Sequence, residues 1–257
     1  MTDAARHVLV QDQDGVRSIV LNRAAKANAL TAAMLQRIIR AFQSATADGA
    51  QAIVLRSASK TLFSAGADIQ EFSEGAAQLD KHGGWLRKLM GEMACCPLPM
   101  LAVARGRAAG AGAILLSMVD ILIAADDLTL VCPEIAFNMY PFIVQAALET
   151  KISAGRARQL CFSASPLSAA SALELGLATE LVARDRFDEV SAERLAYYLS
   201  RRDALQMARK GRLLMESPKD FMNKLEALEP LMHENFGKPG VQDSMKAYFQ
   251  RLGAKAK

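Results

Sequence analysis

Glu134 stands directly behind an apolar run, in "LTLVCPEIAF", and an acid in that setting is a candidate proton carrier. An apolar pocket strips hydration from the charged form, raises the carboxyl's pKa and brings it into the range where proton transfer is efficient near neutral pH. Two other stretches offer backbone in place of side chains. "SAGAD" at 64–68 and "RAAGAGA" at 107–113 each follow an apolar run and lead toward a helix start. Helix starts expose unpaired N–H groups, and small residues let a ligand reach them. Two such groups converging on one point would stabilise negative charge on a carbonyl oxygen, each donor being worth ~2.7–4 kcal/mol of barrier. Small residues also let one element pack closely on another, and the sequence leaves both uses open.

Other chemistries find less support. His7, His82 and His233 are scattered over segments expected to be exposed, and no serine or cysteine stands in a nucleophile elbow, which argues against a Ser-His-Asp hydrolase. Cys95, Cys96, Cys132 and Cys161 have neither metal-ligand spacing nor the density of a disulfide framework, so they are expected as reduced, mostly buried thiols in a cytoplasm-like compartment. The 31 basic and 27 acidic residues leave a formal charge of +4 and are interleaved along the chain, so neither nucleic acid nor membrane is expected as a partner. The N-terminal residues lack a signal-peptide apolar core, and no stretch is apolar over the ~20 residues that span a bilayer.

The elements that must position these residues are legible from pattern. "HVLVQ" and "VRSIVLN" flank Asp14-Gly15 and predict a hairpin. Thr31 predicts the cap of a helix whose Met34, Leu35, Ile38, Ile39 and Phe42 share one face. "QAIVLRS" and "PMLAVARG" predict strands, with a helix around "HGGWLRKLMGEMA" between them: a crossover unit. "AGAGAILLSMVD" predicts a short helix, followed by strands at "ILIAA" and "LTLVC". After about residue 182 the pattern becomes successive amphipathic helices, with breaks expected at Asp203, Ser217-Pro218 and 237–240. The expected organisation is therefore a core over 1–185 and a helical segment over 186–257. That segment carries Leu213, Leu214, Met215, Phe221, Leu225, Leu228, Leu231, Met232 and Phe236, more apolar surface than it can bury within itself.

Taken in order, "LNRAAKANAL", "LFSAGADIQEF", "ARGRAAGAGAILLSMVDILIAADD", "VCPEIAF" and "GRARQLCFSASPLSAASALELGLATELV" resemble the signature segments of the crotonase superfamily, the enoyl-CoA hydratase/isomerase family. The resemblance implies an α/β fold, a spiral of repeated ββα units with a C-terminal helical segment, acting on an acyl-CoA thioester through an enolate. It implies an oxyanion hole made by the N–H groups of Ala67 and Ala111, with Glu134 as the catalytic acid–base. It implies a coenzyme A channel lined by Ala65, Ala67, Asp68, Ile69 and Gln70, with Lys26 and Ala27 on its other wall and Ala111 and Pro133 nearby. No separate cofactor and no metal are implied, since coenzyme A belongs to the substrate. Homotrimers or hexamers are implied as well, with Arg251 contacting coenzyme A phosphates of a neighbouring subunit's site.

Departures from the family pattern carry information of their own. Hydratases of the family use two glutamates, and Ile114 occupies the place of the first. One remaining glutamate suits the double-bond isomerases of the family, which move a proton from C2 to C4 of a 3-enoyl thioester; an atypical one-glutamate hydratase is the alternative. An inactive or RNA-binding relative is a rival of another class, with only Arg105 and Arg107 to suggest it. Ala111 replaces a usual glycine, and Phe137 and Tyr140 stand where many members have a glycine-rich loop, either shaping an acyl pocket together with Ile114 or serving as core.

Overall fold

The computed structural model describes residues 3–72, 76–238 and 240–255. A short helix α1 (Asp3–His7) leads into β1 (Val8–Gln13), which pairs antiparallel with β2 (Val16–Leu21) across Asp14 and Gly15, both at positive φ. Helix α2 (Ala32–Ala45) begins where the Thr31 side chain accepts from Met34 N–H, and it buries the face containing Met34, Leu35, Ile38, Ile39 and Phe42. The hairpin and α2 form as the sequence predicts, while α1 is an addition that takes up His7, expected in the first strand.

From there the chain repeats one unit: a strand for a large sheet, a short strand for a small sheet, then helix. The first unit is β3 (Ala52–Ser57), β4 (Leu62–Ser64) and α3 (Ala76–Cys95). Next come β5 (Met100–Ala104), β6 (Arg107–Ala109) and α4 (Ala111–Ser117). The third has β7 (Ile121–Ala125), β8 (Thr129–Val131), a 3-10 turn over Pro133–Phe137 and α5 (Phe142–Leu148). Helix α6 (Ala154–Ser163), β9 (Leu167–Ser168), α7 (Ala169–Glu174) and β10 (Glu180–Val182) complete the core. The large sheet has the order β1-β2-β3-β5-β7-β10, parallel beyond its first pair, and the small sheet the order β4-β6-β8-β9. Strands buried on both faces explain why "AIVL" and "ILIAA" read as continuous apolar runs.

Four helices follow: α8 (Phe187–Leu199), α9 (Arg202–Met215), α10 (Pro218–Phe236) and α11 (Val241–Lys255). The break expected at Asp203 falls two residues earlier, and Asp203 sits in the first turn of α9, where a negative charge favours the helix dipole. Apolar residues of α10 find the core of their own chain. Phe221, Leu225, Leu228 and Met232 pack on the main core, while Phe236 joins Phe137, Val241 and Met245 in a separate cluster. Leu214 and Met215 remain 88% and 81% exposed.

Arg209 pins α9 to the core. Buried on all sides, it donates to the main-chain oxygens of Met93, Ala94 and Cys96 at the end of α3 and pairs with Asp120 at 3.1 Å. Its guanidinium thereby satisfies helix-end carbonyls that have no partner within the helix. Arg209→Leu strands those carbonyls, while Asp120 keeps Arg212 as a partner. The expected loss is about 3 kcal/mol, read as a lower urea midpoint at unchanged slope.

Candidate functional site

Three adjacent parallel strands of the small sheet, β4, β6 and β8, end side by side, with Ser64 opposite Ala108 and Ala109 opposite Val131. The segments that leave them are the three singled out from the sequence: Ala65–Ala67, Gly110-Ala111 and Cys132–Glu134. Together they line a cavity of ≈ 150 Å³ that is walled mainly by apolar side chains.

Glycine permits the convergence. Gly66 has φ +97°, and a Cβ there would lie 2.7 Å from Ala109 O and 3.5 Å from Ala111 N. Gly110 has φ +47°, and a Cβ there would lie 2.9 Å from Glu134 Oε1. Each loop therefore packs closely on the next, and the packing reading of these small residues holds. The other reading stays available too, because the N–H groups of Ala67 and Ala111 have no hydrogen-bond partner among the described residues.

The first loop is held from behind by the chain at 22–30. Leu30 N–H donates to Gly66 O, Ala65 N–H to Ala27 O and Asp68 N–H to Leu30 O. Asn28, fully buried, donates to Ser57 Oγ and Phe63 O, and Arg23 pairs with buried Asp68. Ala27 and exposed Lys26 thus sit beside Ala65, as the resemblance groups them, while the Asp68 side chain is engaged within the protein. Gln70 is exposed, and the side chain of Ile69 lies outside the described residues.

Glu134 occupies the 3-10 turn behind Pro133, and Asn138 closes that turn in the left-handed region. Its Oε2 is buried with no hydrogen-bond partner among the described residues. Burial raises its pKa to about 7, against the smaller opposing effect of a hydrogen bond from its own main chain. Ile114, 1% exposed, lines the same cavity, as do Phe137 and Tyr140. Asn235 of α10 clamps the segment: Tyr140 N–H donates to its Oδ1 at 2.6 Å, and its Nδ2 donates to Asn138 O at 3.1 Å. The C-terminal helices also supply Met232, His233 and Met245 to the cavity. Arg251, by contrast, is exposed on α11 and donates to Ala247 O of its own helix.

His82 corrects an expectation. It is 3% exposed, lies on α3 one turn before Leu86 and lines the cavity. The signal was present in the chain: 82, 86, 89, 90 and 93 recur at helical spacing, and Leu86, Leu89, Met90 and Met93 are all buried. Arg87, also lining the cavity, pairs with Glu229 of α10. Among the described residues no cluster of His, Cys, Asp or Glu could hold a metal ion, and no helix is long and apolar enough to cross a membrane. The four cysteines are free thiols, Cys95 exposed and the others buried. A site of this make-up can accept or deliver one proton at Glu134 and offer main-chain donors to an oxygen nearby.

Residues 11–256 match the family described as enoyl-CoA hydratase/isomerase. A probable enoyl-CoA hydratase of Rhizobium meliloti is 31% identical over 198 residues, covering 74% of this chain and 76% of that protein. The mitochondrial enoyl-CoA hydratase domain-containing protein 3 of Rattus norvegicus is 25% identical over 244 residues, covering 94% and 81%. In fold, an enoyl-CoA hydratase crystal structure from Mycobacterium avium subsp. paratuberculosis superposes with a TM-score of 0.84 at 23% identity, over 95% of this chain and 96% of that one. The repeated ββα architecture is that of the crotonase fold.

Burying Glu134 has a stability signature. At pH values below about 4.5 the carboxyl is protonated in both folded and unfolded chains and costs little. As pH rises toward about 7 the unfolded chain ionises while the folded one retains its proton, so stability falls. Glu134→Gln lacks this penalty. The variant is expected to gain on the wild type between pH 4.5 and 7, by up to about 3 kcal/mol, and to hold a constant advantage above it. Paired urea titrations across that range measure the difference; parallel curves would place Glu134 in water.

Proposed function

Because the chain belongs to the enoyl-CoA hydratase/isomerase family, we propose that it shifts the double bond of an enoyl-CoA through a thioester enolate, with Glu134 as the single acid–base. The observation that carries this reading is a buried carboxyl in an apolar cavity whose other acid position is filled by Ile114. As carboxylate, Glu134 takes a proton from C2 of a 3-enoyl thioester. The electron pair moves onto the thioester oxygen, where the N–H groups of Ala67 and Ala111 receive the charge. The enolate then collapses to the 2-enoyl thioester as Glu134 returns the proton at C4, so no proton is gained or lost overall. A pKa of about 7 suits a group that must both take and give this proton near neutrality.

Lys26, Ala27, Ala65, Asp68, Ile69, Gln70 and Pro133 belong in this reading to the coenzyme A side of the site, and Ile114, Phe137 and Tyr140 to the acyl side. The exposed Met207, Leu214 and Met215 on α9 support an assembly of copies, proposed as a trimer or a pair of trimers, in which Arg251 reaches a neighbour's coenzyme A. A cytoplasm-like compartment belongs to the same proposal. Addition of water by Glu134 is the second reading, favoured by one observation: the cavity also contains His82.

Incubation of an acyl-CoA panel in heavy water, followed by mass spectrometry, tests the chemistry directly. Deuterium at C2 or C4 is expected, with the exchange rate rising with pH through about 7 as the base ionises. Glu134→Gln should lower exchange by about 10²–10⁴-fold while coenzyme A thioester binding persists. Unchanged exchange in that variant would remove Glu134 from the mechanism. Ile114→Glu restores an acid at the hydratase position and is expected to raise water addition to a short 2-enoyl-CoA relative to isomerisation; a folded variant with no such gain would show that another feature blocks hydration.

A further inference from the structure

Side chains alternate between the two faces of the large sheet. Ile53 and Leu55 of β3 and Met100 and Ala102 of β5 enter the main core, while Ala52, Val54, Leu101 and Val103 face Phe187 and Leu195 of α8. Continuing that alternation, Arg56 at the end of β3 and Arg105 just beyond β5 also lie under α8. There they line a cavity of ≈ 130 Å³ that shares no residue with the one containing Glu134.

Arg56 is the anomaly in this cavity. It is half-buried, its Nε is sealed off without an acceptor, and it has no ion pair among the described residues. Its two terminal nitrogens have no acceptor among those residues either and, unlike Nε, they are not sealed off. Burial pulls its pKa below the ordinary arginine value, the mark of a charge that lacks compensation. A guanidinium left in that state is costly, and a second one stands beside it. Arg105, stacked 4.5 Å from the centre of the Phe187 ring, pairs with Asp188, whose side chain is 68% exposed. Such a surface pair is worth little and can be exchanged for another anion. Ser191 of α8, on the same wall, has a hydroxyl that is neither partnered among the described residues nor closed off.

The donors select among anions. A carboxylate offers two oxygens, which the fork of one guanidinium satisfies; a phosphoryl group offers three, enough for two guanidiniums and a hydroxyl together. We propose that the cavity under α8 is a second binding site, which takes the phosphate group of a phosphomonoester through Arg56, Arg105 and the Ser191 hydroxyl. Its occupant neutralises Arg56, and the site is independent of the chemistry at Glu134.

Calorimetry on the intact protein at fixed ionic strength tests this with inorganic phosphate, glycerol 3-phosphate and succinate, and with coenzyme A against dephospho-coenzyme A, which lacks its phosphomonoester. If the occupant is a free phosphate or small ester, inorganic phosphate or glycerol 3-phosphate binds about tenfold or more tighter than succinate. That affinity falls about tenfold or more in Arg56→Met and Ser191→Ala, and is partly kept in Arg56→Lys, which has the charge without the fork. If the phosphate belongs to coenzyme A, coenzyme A outbinds dephospho-coenzyme A, and Arg56→Met abolishes that advantage. Either pattern supports the proposal. Arg56→Met also removes an uncompensated charge, so in phosphate-free buffer it should unfold at or above the wild-type temperature while losing the rise that the bound phosphate gives the wild type. Phosphate affinities indifferent to Arg56, succinate bound as tightly as phosphate, or no binding of any phosphate probe at millimolar concentration overturns it.

Discussion

Parallel pairing of three short strands, β4, β6 and β8, is the constraint from which the site follows. Parallel neighbours run the same way, so the segments leaving their C-terminal ends emerge together, and each crossover helix must lie to one side. Register does the rest. With Ser64 beside Ala108 and Ala109 beside Val131, the backbone of one loop reaches van der Waals contact with the next, and only residues without a Cβ fit at Gly66 and Gly110. The N–H groups of Ala67 and Ala111, without a hydrogen-bond partner among the described residues, and the turn that carries Glu134 are thus brought into one cavity by sheet geometry.

Holding a carboxyl in that cavity without a neutralising partner is costly, and the fold offsets the cost locally. Glu134 sits on a turn stiffened by Pro133 and closed by Asn138, and Asn235 ties the following residues to α10 through both ends of its amide. The carboxyl responds to burial by taking up a proton more readily, and among the described residues it has no ion-pair partner. Proton affinity near neutrality is therefore a consequence of packing.

The helices after residue 186 divide their labour. Arg209 anchors α9 by satisfying the carbonyls that end α3, α10 and α11 close the cavity through Met232, Asn235 and Met245, and the outer face of α9 leaves Leu214 and Met215 in solvent. What reads in the sequence as one run of amphipathic helices serves as buttress, wall and exposed apolar face in turn.

The main strands and helices, the Thr31 cap, the hairpin at Asp14-Gly15, the two small-residue loops and an acid, Glu134, behind an apolar run were legible from local pattern, because periodicity, turn chemistry and capping act over a few residues; α1 and the short strands β4, β6 and β9, too brief to show a period, were not. Tertiary structure decided what depends on distance along the chain. It placed His82 inside, because helix α3 turns that face toward the cavity and Glu71, eleven residues away, supplies its partner. It withdrew Asp68 into an ion pair with Arg23, forty-five residues earlier. And it returned residues beyond 230 to a cavity built near residues 65, 110 and 134, a closure that no short-range signal encodes because it depends on how the packed core orients the last helices.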